Sequence, residues 1–214
     1  MNYPKIIVLF IGGTHGEFLK NCYNIFNNKK IRPISTTGHS PITSQFKEEN
    51  MYLFYKGKSG KHSLNQFDEF EVVHCWYNEY LKYTSKFYYI DYPDHLASTL
   101  IDLFMYKTKR DKNTIIKYLK DNMPKDIGKK INDSNWKEIF IKSINRCKSK
   151  YLLQKNIKRI DIFDIYNLEK LEKIFKDMGI YNNKYKEDFK KYYNKWLNKN
   201  NYFIERLTSE QNKY

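Results

Sequence analysis

The stretch KIIVLFIGGTHGEFLKN, residues 5–21, constrains the fold more than any other part of the chain. Ile6 to Ile11 form an unbroken apolar run of strand length, the pattern of a strand covered on both faces. Gly12, Gly13 and Gly16 break that run, and Phe18, Leu19, Cys22, Tyr23 and Phe26 then recur at helical spacing, which predicts a helix over about residues 16–27. A buried strand that passes through glycines directly into a helix pairs with its neighbours only after a crossover. With strands and helices continuing to alternate along the chain, the expectation is an α/β domain: a mostly parallel central sheet with helices on both faces.

The remaining pattern agrees with that class. FEVVHCW (70–76) and KFYYIDYP (86–93) read as strands, the second ended by Pro93, which has no N–H for a ladder. Asp94 is the expected N-cap of a helix carrying Leu96, Leu100, Leu103 and Phe104. Trp136, Ile139, Phe140, Ile144, Cys147 and Tyr151 share one helical face in a segment spanning 108–155. IKRIDIFDI (157–165) reads as a further strand, after which Asn167 caps a helix carrying Leu168, Leu171, Phe175 and Met178, closed by Gly179 in a left-handed cap. In a last amphipathic helix, Tyr185, Phe189, Tyr192, Tyr193 and Trp196 are expected to pack the core. Residues 31–67 read as an irregular insert: 31–45, rich in Ser, Thr, Gly and Pro, as loop, and 51–67 as a hairpin around KGKSGK. Residues 1–214 are expected to form one domain, with neither repeat nor low-complexity linker.

Charge enters at this point, because a formal net charge of +15 invites a polyanion as partner. Nearly all of the positive charge is lysine: Arg32, Arg110, Arg146, Arg159 and Arg206 are the five arginines, and Asn, Ile and Tyr are plentiful as well. These residue types share AT-rich codons, so base composition accounts for the surplus, the lysines over 107–130 read as a solvated helical face, and nucleic acid is not the expected partner. Cys22, Cys75 and Cys147 lie far apart with no CxxC pair, which predicts a reducing compartment. The first apolar run is too short to span a bilayer and no secretory leader is read, so the expectation is a cytoplasmic protein without a membrane segment. His39, His62 and His95 have no metal-ligand spacing with cysteines or carboxylates, and no metal site is expected.

A first strand, glycines and a helix N-terminus together present unpaired backbone N–H groups to an anion. The spacing is neither GxxxxGK[ST] nor GxGxxG. IGGTHGEFL (11–19) resembles the 5′-phosphosulfate loop of the sulfotransferase family. YYIDYPDHLAST (88–99) is similar to that family's 3′-phosphate element, and IDIFDIYNLEKLEKIFKDMGI (160–180) to its late strand and helix. Ile11 stands where the loop lysine is usual, His15 where some members carry arginine, and Asp91 where the 3′-phosphate arginine belongs.

The resemblance implies a fold of the P-loop NTPase and sulfotransferase type. It also implies transfer of a sulfuryl group from 3′-phosphoadenylyl sulfate (PAPS) to a hydroxyl on a small molecule or glycan. Such a transfer needs in-line positioning, charge stabilisation and a base. On that resemblance Gly12, Gly13, Thr14, His15 and Gly16 hold the 5′-phosphosulfate, His15 or Lys20 is the cationic partner at the bridging oxygen, and Ser98 and Thr99 face the 3′-phosphate. His74, at the end of the second strand, is the first choice of base and Glu17 the second. Two other readings stay open: a kinase-like nucleotide-binding protein, suggested by Asp91 and Asp94, and a non-catalytic basic binding protein on a degenerate P-loop fold.

Overall fold

The computed structural model describes residues 5–10, 15–31, 69–74, 85–108, 111–122, 128–152 and 156–214. Its centre is a parallel sheet of four strands, β1 (Ile6–Phe10), β2 (Phe70–His74), β3 (Lys86–Asp91) and β4 (Ile157–Asp161), in the order β2-β1-β3-β4. Ile6 to Phe10 are all buried, and so are Phe87 to Ile90. Successive strand residues point to opposite faces, so both faces of the sheet are covered at β1 and β3. Each of these aliphatic and aromatic side chains contributes about 1.5–3 kcal/mol when fully removed from water, which makes the two central strands the anchor of the domain. β4 lies at an edge and is marked as one by Lys158, Arg159 and Asp161, all exposed.

Among the described residues the helices are α1 (Gly16–Phe26), α2 (Ala97–Thr108), α3 (Lys112–Asn122), α4 (Trp136–Leu152), α5 (Leu168–Met178) and α6 (Lys186–Gln211). α1 lies against β2 and α6, and α2 lies against α4 and α6. Phe18, Leu19, Cys22, Tyr23 and Phe26 are buried as the spacing predicts, and Phe18 stacks on Trp196 with ring centroids 3.8 Å apart. Phe189, Tyr192, Tyr193 and Trp196 are core residues of α6. Burial pushes the Tyr193 phenol up to about 12, with Cys22 adding to the shift. Asn167 accepts from the Lys170 N–H at 3.1 Å at the start of α5, and Gly179 ends the helix at φ 76°, both as expected.

Two expectations are corrected. Asp94 does not cap α2: it opens a 3-10 turn, Asp94–Leu96, whose cap position is Pro93, and its carboxylate turns to Lys148 instead. The strand expected over 157–165 stops at Asp161, whose side chain accepts from the Phe163 N–H at 2.9 Å and starts a second 3-10 turn, Ile162–Tyr166. That side chain offers the backbone a partner which competes with the ladder. The helical segment expected over 108–155 contains α3 and α4. The insert with its KGKSGK hairpin, Cys75, Trp76 and the side chains of Phe104, Cys147 and Tyr151 lie outside the described residues. Lys117, Lys120, Lys129 and Lys130 are exposed. Among the described residues no helix is long and apolar enough to cross a membrane, and no group of three or more His, Cys, Asp or Glu is placed to hold a metal ion.

Candidate functional site

Open parallel sheets bind ligands beyond the carboxyl ends of their strands, where successive connections leave in opposite directions. In the order β2-β1-β3-β4 the chain leaves β1 for one side and later returns to the other, so that place lies between the ends of β1 and β3. Leu9 pairs with Tyr89 in register, so β1, which ends at Phe10, stops one residue short of Asp91, the last residue of β3.

On the β1 side, Gly12, Gly13 and Thr14 lie outside the described residues, as does Ile11. Gly16 is described, and its absent side chain is what the fold needs. A Cβ there would stand 2.5 Å from Cδ1 of the buried Phe10 ring, so only glycine lets the first turn of α1 seat on the end of β1. Gly16 thus serves the helix–strand contact, a role different from the anion approach expected of it.

His15 occupies the N-cap position of α1 in the left-handed region, at φ 67°, without a side-chain capping bond. Its ring does not point out over the rim as the cationic role requires. It is buried, meets Trp196 and Phe203 edge-on with centroids 5.0 Å away, and shares a 2.8 Å hydrogen bond between Nε2 and the Tyr166 hydroxyl. Burial, with a lesser push from Asp161, holds the Tyr166 phenol well above its usual range, so at neutral pH it remains an O–H donor that a neutral imidazole can accept.

Lys20 is carried further away. Its buried ammonium donates to the carbonyl of Phe70, the first residue of β2, and sits 5.3 Å over the Tyr23 ring. Phe70 is four residues before His74, roughly 13 Å at strand rise, so Lys20 serves the opposite end of the sheet from the rim. The expectation of Lys20 at a bridging oxygen is corrected by that tether. His74 ends β2 opposite Phe10 in register, on the rim itself, and Glu17 lies in the first turn of α1; both side chains lie outside the description.

On the β3 side, the chain passes Tyr92, Pro93 and the 3-10 turn into α2, whose first turn carries Ser98 and Thr99, both half-buried. Asp91 accepts from the Tyr92 N–H at 2.8 Å through Oδ1. The ammonium of Lys148, from α4, donates to the Tyr92 carbonyl and lies 3.0 Å from Asp91 Oδ1 and 2.7 Å from Asp94 Oδ1. Arg159 of β4 stands 3.9 Å from Asp91 Oδ2. Where the family motif has an arginine, this corner has a carboxylate whose compensating cations arrive from α4 and β4.

Sequence reasoning missed three residues here: Lys148, Arg159 and Tyr166. For Lys148 the signal was present, since Phe140, Ile144 and Lys148 recur every four residues and the lysine falls on the buried stripe of α4. Tyr166 and Arg159 are brought in by contacts remote in sequence and leave no local trace. Comparisons with family models, curated proteins and solved structures return no match for this chain.

Proposed function

We propose that the chain is a sulfotransferase-like enzyme of P-loop type, which moves a sulfuryl group from a phosphosulfate nucleotide to a hydroxyl acceptor. In the family it resembles, that nucleotide is PAPS and the acceptor can be a glycan. The observation that carries this reading is the placement of two resembling segments at one rim: the strand-to-helix turn after β1 and the Pro93 turn into α2 leave from adjacent parallel strands. In the reaction, the acceptor oxygen forms a bond to sulfur while the bond from sulfur to the bridging phosphate oxygen breaks. The hydroxyl proton passes to a base, for which His74 at the end of β2 has the right position along the rim. The N-terminus of α1 supports negative charge nearby. With His15 and Lys20 both engaged elsewhere, cationic help at the bridging oxygen has no source among the residues first expected to supply it.

A thermal-shift experiment tests the reading. A nucleotide at a hundred times its dissociation constant adds about 2.7 kcal/mol to stability, which raises Tm measurably. Adenosine 3′,5′-bisphosphate or adenosine 5′-monophosphate (AMP) at millimolar concentration is expected to do so, and His74→Ala is expected to abolish transfer while leaving that shift. No shift with either nucleotide overturns the reading. Stabilisation by Mg-ATP alone would favour the kinase-like protein instead.

A further inference from the structure

Under the reading above, the end of β3 is where the ribose of a bound nucleotide meets the protein, and its charge is the reverse of what a 3′-phosphate asks for. Asp91 and Asp94 supply two carboxylates, Lys148 and Arg159 two cations, so these four groups balance before any ligand arrives. An ammonium has three protons to donate. Those of Lys148 have three acceptors around them: the Tyr92 carbonyl, Asp94 Oδ1 and Asp91 Oδ1.

The capacity left over is for accepting. Asp91 Oδ2 faces Arg159 at 3.9 Å, beyond hydrogen-bond length, and the Asp94 carboxylate is 69% exposed with Oδ1 engaged by Lys148. Acceptors in excess recognise hydroxyl groups, and a strand-end carboxylate in a parallel sheet is well placed to accept from a ribose diol. A phosphate dianion beside the same carboxylates meets like charge.

We propose that this corner selects a nucleotide whose ribose 3′-hydroxyl is free and rejects one phosphorylated there. The inference rests on the nucleotide site proposed above and names its donor class as adenosine 5′-phosphosulfate. The transfer stays balanced: the acceptor oxygen takes the sulfuryl group, the bridging S–O bond breaks, the base takes the proton, and AMP leaves.

Calorimetric titration of the full chain with AMP and with adenosine 3′,5′-bisphosphate tests the selection. AMP is expected to bind at least about tenfold more tightly, a ratio equivalent to about 1.4 kcal/mol. Asp91→Asn keeps an acceptor for the Tyr92 N–H but removes the charge, and is expected to erase most of that ratio. Asp94→Asn, on an exposed side chain that keeps an acceptor for Lys148, is expected to shift it the same way by a smaller factor. Equal or tighter binding of the bisphosphate by the unaltered chain overturns the selection while the nucleotide site stands. A ratio unmoved by both substitutions overturns it as well. Silence from both nucleotides removes the site itself, and the selection with it.

Discussion

β1 and β3 are neighbours and end at the same rim, yet the chain leaves them under opposite kinds of control. After β1 it is held by shape: Gly16 lies against the Phe10 ring, and His15 is enclosed by Trp196, Phe203 and Tyr166. After β3 it is held by charge, with Lys148 gathering Asp91, Asp94 and the Tyr92 carbonyl. Two segments that resemble one family's anion sites equally well thus meet different physics. Close packing leaves no room for an added methyl group, whereas an ion-pair corner admits a ligand that offers the right partners.

The contrast can be broken most severely at Lys148. Lys148→Ala leaves Asp91 and Asp94 without their shared cation. Removing one member of a buried pair costs about 3–5 kcal/mol, and about 3 kcal/mol is expected here because Arg159 stays near Asp91 and Asp94 can turn to water. Urea denaturation measures it, and a loss under about 1 kcal/mol would mean that this corner is ordinary surface.

Gly16→Ala probes the other end. Its Cβ would press on Phe10 Cδ1 at 2.5 Å, so α1 or the ring has to shift, at an expected cost of about 1–3 kcal/mol. If the variant were as stable as the parent, shape would not control the β1 exit. The smallest expected effect is that of Tyr166→Phe, which keeps the ring but deprives His15 Nε2 of its hydrogen-bond partner. About 1 kcal/mol is expected, together with a change in the His15 imidazole resonance by NMR. An unchanged resonance would show that the aromatic enclosure alone positions His15.

Much of the architecture is legible in the sequence because it depends on local period and on turn chemistry. The continuous apolar run of β1 reports burial on both sides, Asn167 and Gly179 bracket α5, and the spacing from Phe18 to Phe26 marks the inner face of α1. Errors arose where a side chain had two partners to choose from. Asp94 could cap a helix or pair with a lysine 54 residues away, and the lysine won because it is buried and needs the charge. Asp161 ended β4 by bonding to the backbone two residues on, although the apolar alternation continues past it.

The candidate site was less legible for the same reason on a larger scale. A motif gives the residue types along the chain; the direction of a side chain depends on what the rest of the fold sets beside it. Lys20 reads as a cation close to an anion loop, yet the carbonyl of Phe70 draws it to the far end of the sheet. His15 reads as a cationic partner in the anion loop, yet α6 brings Trp196 and Phe203 over it.

From its sequence alone this chain is bound to be a parallel α/β protein, since hydrophobic period and glycine placement act over a few residues and carry no ambiguity of partner. Which charges face the rim, and whether a ligand there meets a cation or a carboxylate, was decided only when Lys148 of α4, Arg159 of β4 and the aromatic rings of α6 came to lie beside residues remote from them in sequence. Electrostatic pairing follows distance in space, and that distance exists only in the folded molecule.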